Sequence, residues 1–127
     1  MWHNILQGSK FISNLYNDVP QLKNVRISAL KIQDEGRKVS IEFDIPIYTE
    51  RPPQKWVDLG YNTVFVEIDF FDISDISLKS VGNKFIGDIE IDEVESGLII
   101  INISGSVIAS ITADVGMIQS VRGYINS

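Results

Sequence analysis

The sequence predicts a mainly β protein, an antiparallel sandwich or open barrel of seven to eight strands with one short N-terminal helix. Two observations predict it. Apolar and polar residues alternate over segments of strand length, the pattern of a half-buried strand whose side chains point to opposite faces in turn. Turn formers such as Asp34-Glu35-Gly36, Val81-Gly82-Asn83 and Glu95-Ser96-Gly97 separate those segments, at the roughly 10-residue spacing of antiparallel β folds. The 127 residues hold no repeat, low-complexity tract or Gly/Ser linker, so residues 1–127 are expected to form a single domain.

The N-terminal segment is the helical exception. Ser9 stands at a capping position, and Phe11, Ile12, Leu15 and Tyr16 fall on one face of a helix over about 9–17. Asp18-Val19-Pro20 ends it, because a residue before proline is pushed out of the α region. Trp2, Ile5 and Leu6 belong to a shorter turn that packs as a lid.

The β-rich body runs from about 24 to 125. Val25, Ile27 and Ala29 alternate, then Leu30 and Ile32 continue one step out of phase, as a β-bulge produces. Val39, Ile41, Phe43 and Ile45 follow after a turn, completing a hairpin signature. Tyr48 to Trp56 reads as a long loop stiffened by Pro52 and Pro53. Thr63–Phe70, a short strand near Ile76–Leu78, and Phe85–Val94 come next. Leu98–Ile103 is apolar on both faces except for Asn102, which predicts a covered or central strand. Val107–Thr112 and Ile118–Tyr124 complete the set.

Composition narrows the function. Apolar residues make up 44% of the chain, enough for a packed core and too much for disorder. No apolar run approaches the roughly 20 residues of a membrane span, and the start of the chain lacks a signal-peptide pattern. The absence of cysteine suits a reducing compartment, and a cytoplasmic location is expected. It also removes thiol nucleophiles and thiolate metal sites. One histidine, His3, with no Gly-x-Ser-x-Gly elbow, gives no basis for a catalytic triad. No catalytic residue, metal site or cofactor is expected. Asp69, Asp72 and Asp75 lack the Asp-x-Asp-x-Asp-Gly calcium pattern and read as turn chemistry.

Charge is the informative quantity. The net charge is −6 and the acids are not evenly spread. Residues 1–61 carry 8 basic and 7 acidic side chains, residues 62–95 carry 2 and 9, and residues 96–127 one of each. Direct nucleic-acid binding is disfavoured, since phosphates are neutralised by Lys and Arg, and a basic partner is favoured. The acids also alternate along strands. Glu42 with Asp44, Glu67 with Asp69, and Asp88 with Glu90 and Asp92 each share a face, with i and i+2 roughly 6–7 Å apart. If these strands are neighbours, the carboxylates form a lattice able to dock a cationic surface such as a nuclease active site. Like charges facing one another cost stability, and a merely soluble face usually mixes signs. The alternative is an ordinary solvent face. Tyr48, Trp56 and Tyr61 form a second candidate, an aromatic anchor for a partner, although the favoured reading of Trp56 is a plug at the end of the core.

At these residues the chain resembles the immunity protein 50 family of bacterial polymorphic toxin systems. The resemblance lies in Trp2, Phe11-Ile12-Ser13-Asn14-Leu15-Tyr16, Val19-Pro20-Gln21-Leu22 and Val39-Ser40-Ile41-Glu42-Phe43-Asp44-Ile45-Pro46. It is most specific in Pro52-Pro53-Gln54-Lys55-Trp56 and Gly60-Tyr61-Asn62-Thr63-Val64. After Leu78 the chain departs from the pattern, with Lys79-Ser80-Val81-Gly82 where relatives tend to carry a tryptophan. The resemblance implies a non-catalytic cytoplasmic protein that neutralises a cognate toxin by tight stoichiometric binding. Two alternatives stand beside it: a β-sheet assembly module pairing with its own copy, and a carbohydrate- or metal-binding β-domain using Tyr48, Trp56 and Tyr61.

Overall fold

Strand β1 (Val25–Gln33) carries the architecture, because both halves of the sheet hang from it. The structure is a computed structural model that describes all residues from 1 to 127. After β1 come β2 (Lys38–Asp44), β3 (Thr63–Phe71), β4 (Asp75–Ser80), β5 (Ile86–Glu93), β6 (Ile99–Gly105), β7 (Val107–Ala113) and β8 (Val115–Tyr124). All pairings are antiparallel, in the order β4-β7-β6-β5-β1-β2-β3-β8. Val25 and Arg26 pair with Gly87 and Ile86 of β5, whereas Ile27 to Gln33 pair with β2. No ladder joins β4 to β8. The sheet is therefore open, and no barrel closes.

The phase slip read after Ala29 is present slightly earlier in β1, as a register shift between Ile27 and Ala29. It lets Val25 and Ile27 before the slip, and Leu30 and Ile32 after it, turn to one side of the strand. Val25 and Ile27 belong to a single cluster of 28 buried apolar residues drawn from both halves of the sheet, and Leu30 packs against it, while Ile32 at the end of the strand stays 52% exposed. Val64, Val66, Ile68 and Phe70 of β3 are fully buried in it, as are Ile41 and Phe43 of β2. Each such side chain contributes roughly 1.5–3 kcal/mol of burial. Strand β6 lies between β5 and β7, the central position its two apolar faces predict.

The N-terminal segment covers the inner face. Residues Trp2–Ile5 form a 3-10 turn, and α1 spans Lys10–Leu15, shorter than the 9–17 expected. The Ser9 hydroxyl makes no capping bond; the Ser9 carbonyl instead accepts the Ser13 N–H at 3.1 Å. Trp2 packs edge-on against Phe43 and donates its indole N–H to the Pro20 carbonyl at 2.9 Å. Gln7 bonds to the free edge of β8 through Gly116 O and Ile118 N–H. The predicted loop from Tyr48 to Trp56 contains a helix that periodicity missed. Helix α2 spans Gln54–Asp58, and the Pro53 carbonyl accepts the N–H groups of Trp56 and Val57. Five residues are too few to show a helical period, and the prolines that suggested a loop in fact preset the helix entry.

Candidate functional site

The topology divides the seven candidate carboxylates into two groups. Glu42 and Asp44 on β2 and Glu67 and Asp69 on β3 gather on adjacent strands. Asp88, Glu90 and Asp92 lie on β5, which is separated from β2 by β1.

In the first group Glu42 stands directly across from Glu67, and Ser40 across from Asp69. This outer face is tightly furnished. Asp69 is only 3% exposed; it accepts the Ser40 hydroxyl at 2.6 Å and faces the Lys38 ammonium at 3.5 Å. Glu42 meets Lys31 at 2.7 Å. Asp44 accepts Arg26 at 2.9 Å and the Tyr124 hydroxyl at 2.6 Å on the same oxygen. Glu67 alone has no close cation. Burial, and then the charges of Asp69 and Glu42, hold its carboxyl above the ordinary range. Sequence reasoning missed Arg26, Lys31 and Lys38. They come from strands β1 and β2, and only the pairing register places them among the acids of β2 and β3.

The second group is different. Glu90 and Asp92 are exposed and have no basic partner, while Asp88 takes Lys23 at 3.7 Å and the Asn24 N–H at 2.7 Å. Across from this row on β6 stand Ser104, Asn102 and Ile100, none of them cationic. Beyond its short pairing with β1, β5 borders a groove of about 350 Å³. Met1, Trp2, Ile5, Leu22, Ile89 and Ile91 supply its apolar wall, and Gln21, Lys23, Glu90 and Asp92 its polar rim, in which Lys23 is the side chain paired with Asp88.

The aromatic candidates sit apart from both groups. Trp56 is 8% exposed, with Phe11 edge-on and Tyr61 tilted against it. A Cβ at Gly123 would lie 2.7 Å from its ring, so the β8 backbone closes over the indole. Tyr48 is half-buried and burial raises its phenol pKa. His3 is buried beside Trp2, and burial followed by the N-terminal charge lowers its pKa. No group of three or more His, Asp and Glu side chains is arranged to hold a metal ion.

The family model for immunity protein 50 matches residues 8–124. The chain belongs to this family. Membership makes it an immunity protein of a polymorphic toxin system, implies a cognate toxin as its partner, and suggests an inhibitor without catalysis. The match runs through the C-terminal third, beyond the departure at Lys79–Gly82. Nothing among curated proteins matches the sequence. Among solved structures, a crystal structure of an uncharacterized protein from Neisseria gonorrhoeae is similar at 15% identity, with a TM-score of 0.51. The similarity covers 77% of this chain and 92% of that one, and it concerns the fold alone. No helix is long and apolar enough to cross a membrane.

Proposed function

We propose that this immunity protein neutralises its toxin by stoichiometric binding, and that the acidic row of β5 is the principal contact. The observation that carries this reading is the groove beside β5, where Glu90 and Asp92 stand exposed and unpaired above an apolar wall. Such a site suits a cationic, amphipathic anchor on the toxin. A Lys or Arg stem packs on the exposed Met1 and half-buried Ile5 while its head meets the carboxylates. Unscreened acids also speed encounter with a basic surface, an effect that weakens as salt rises. The β2/β3 face is a poorer docking plate, because Arg26, Lys31 and Lys38 already neutralise most of it.

A second contact is favoured by one feature of that face. Glu42 opposite Glu67 is a like-charge pair that costs stability, and a toxin cation placed between them would relieve it. The β5 reading is tested by Glu90→Lys with Asp92→Lys in a toxin co-expression assay. Both side chains are exposed, so the fold should survive while protection is lost. Full protection by that variant at normal expression would overturn the β5 reading. Asp69 is excluded from the test, since reversing a buried carboxylate would disrupt folding rather than docking.

A further inference from the structure

Strand β4 ends the sheet, and its only partner is β7. All of its residues are exposed except Ile76, which is half-buried. The Val81 N–H bonds to Ser106 O at 2.9 Å across the extension of this ladder, and that bond sets the phase. In an antiparallel pair, alternate residues turn their N–H and C=O groups toward the same neighbour. Asp75, Ser77 and Lys79 therefore address β7, and Ile76, Leu78 and Ser80 offer their backbone groups to the open edge. Side chains alternate as well. Ile76 and Leu78 line an apolar cleft with Leu30, Ile32, Val39 and Ile111, where β4 comes back against β1 and β2. Leu78 remains 46% exposed there.

Proteins usually blunt such an edge with charge, proline or a bulge. Lys79 would do so alone, but it does not stand alone. The segment Asp75-Ile76-Ser77-Leu78-Lys79 is self-complementary when read against itself in the antiparallel direction. We propose that β4 pairs with β4 of a second copy about a two-fold axis at Ser77. In that register Ile76 and the partner's Leu78 exchange backbone hydrogen bonds, as their outward-facing groups require. Asp75 meets the partner's Lys79, and the symmetry makes two such ion pairs. Sliding the strands by two residues either way keeps the hydrogen-bond phase but loses both ion pairs. An isologous contact of this kind closes on itself and stops at a dimer. Strand β5 lies three places in from β4, so Asp88, Glu90 and Asp92 stay uncovered. The dimer and the toxin site therefore stand or fall separately.

Sedimentation equilibrium of the whole chain, from low micromolar to sub-millimolar concentration, tests the pairing. The unmodified chain should dimerise. Lys79→Asp and Asp75→Lys each place like charges face to face twice, and should weaken the dimer on the order of tenfold. Combining the two substitutions restores opposite charges and should restore the dimer, with circular dichroism unchanged throughout. A chain that stays monomeric over the whole range overturns the proposal, including the case where the edge takes up a strand of another protein instead. So does a dimer that Lys79→Asp leaves untouched.

Discussion

Replacing Glu67 by Gln should stabilise this protein at neutral pH, although it removes a charged residue from the surface of a sheet. Glu67 faces Glu42 across the β2–β3 ladder and shares its face with Asp69 two residues along. A like-charge cross-strand pair costs about 0.2–1 kcal/mol. Glu67 has two acidic neighbours, partly offset by Lys31, so a gain of about 1 kcal/mol is expected. Unfolding entropy is roughly 2.1 cal/mol/K per residue, or about 0.27 kcal/mol/K for a chain of this length. The gain then appears as a rise in Tm of about 4 °C. Its pH dependence identifies the cause. The folded pKa of Glu67 lies above its ordinary value of 4.5, so ionisation opposes folding. That penalty is absent below the unfolded pKa and complete once pH has risen past the folded one. The advantage of the Glu67→Gln variant should therefore be full at neutral pH and fade as pH falls toward about 4.5. Thermal unfolding of both proteins across this window is the assay. A loss of stability at neutral pH, or a gain of the same size in acid, would refute the reasoning. If the stabilised variant also protects less well against the toxin, the costly pair is kept for binding.

Three further outcomes bear on the frame. Gly105→Ala should lower stability by about 3 kcal/mol or more, because its Cβ would lie 2.2 Å from the Ile86 carbonyl oxygen and 2.6 Å from Gly87 Cα; a near-normal denaturation midpoint would contradict the close β5–β6 approach. Trp56→Ala should cost roughly 3–5 kcal/mol, as befits a core plug, and unchanged stability with lost protection would make Trp56 a partner anchor instead. Asp44→Asn removes the ionic acceptor shared by Arg26 and Tyr124 and should cost roughly 1–3 kcal/mol, measured by urea unfolding, and a neutral result would remove that hub from the account.

Most of the fold was legible because strand periodicity is local. Alternation placed β2, β3 and β5 within a residue or two, and the phase slip read after Ala29 marked the bulge in β1, which lies between Ile27 and Ala29. The apolar run Leu98–Ile103 marked β6 as a central strand, although its second face stays half-buried to exposed. What escaped was either too short or too remote in sequence. Helix α2 has five residues and no period to detect. The Ser9 cap failed because the chain around it bends back to place Gln7 on β8, and Ser9 takes helical rather than capping angles. Strand order could not be read at all, since nothing in the alternation of β5 says that its neighbours are β1 and β6.

That gap decides the electrostatics. Counted along the sequence, residues 62–95 form one acidic block, but a sheet does not average charge along the chain. It averages across strands about 4.8 Å apart. The part of the block on β3 faces β2, whose Lys38 reaches Asp69, while Lys31 and Arg26 of β1 pair with Glu42 and Asp44 of β2. The part on β5 meets β6, where Ser104 and Asn102 bring no cation. Of the candidate carboxylates in this block, Asp69 and Asp88 are thus paired, and Glu67, Glu90 and Asp92 stand without a close cation. Net charge by segment pointed to a basic partner but does not separate the paired from the unpaired among the seven carboxylates. Glu90 and Asp92 carry the uncompensated field, and at β3 only Glu67 remains to contribute to it.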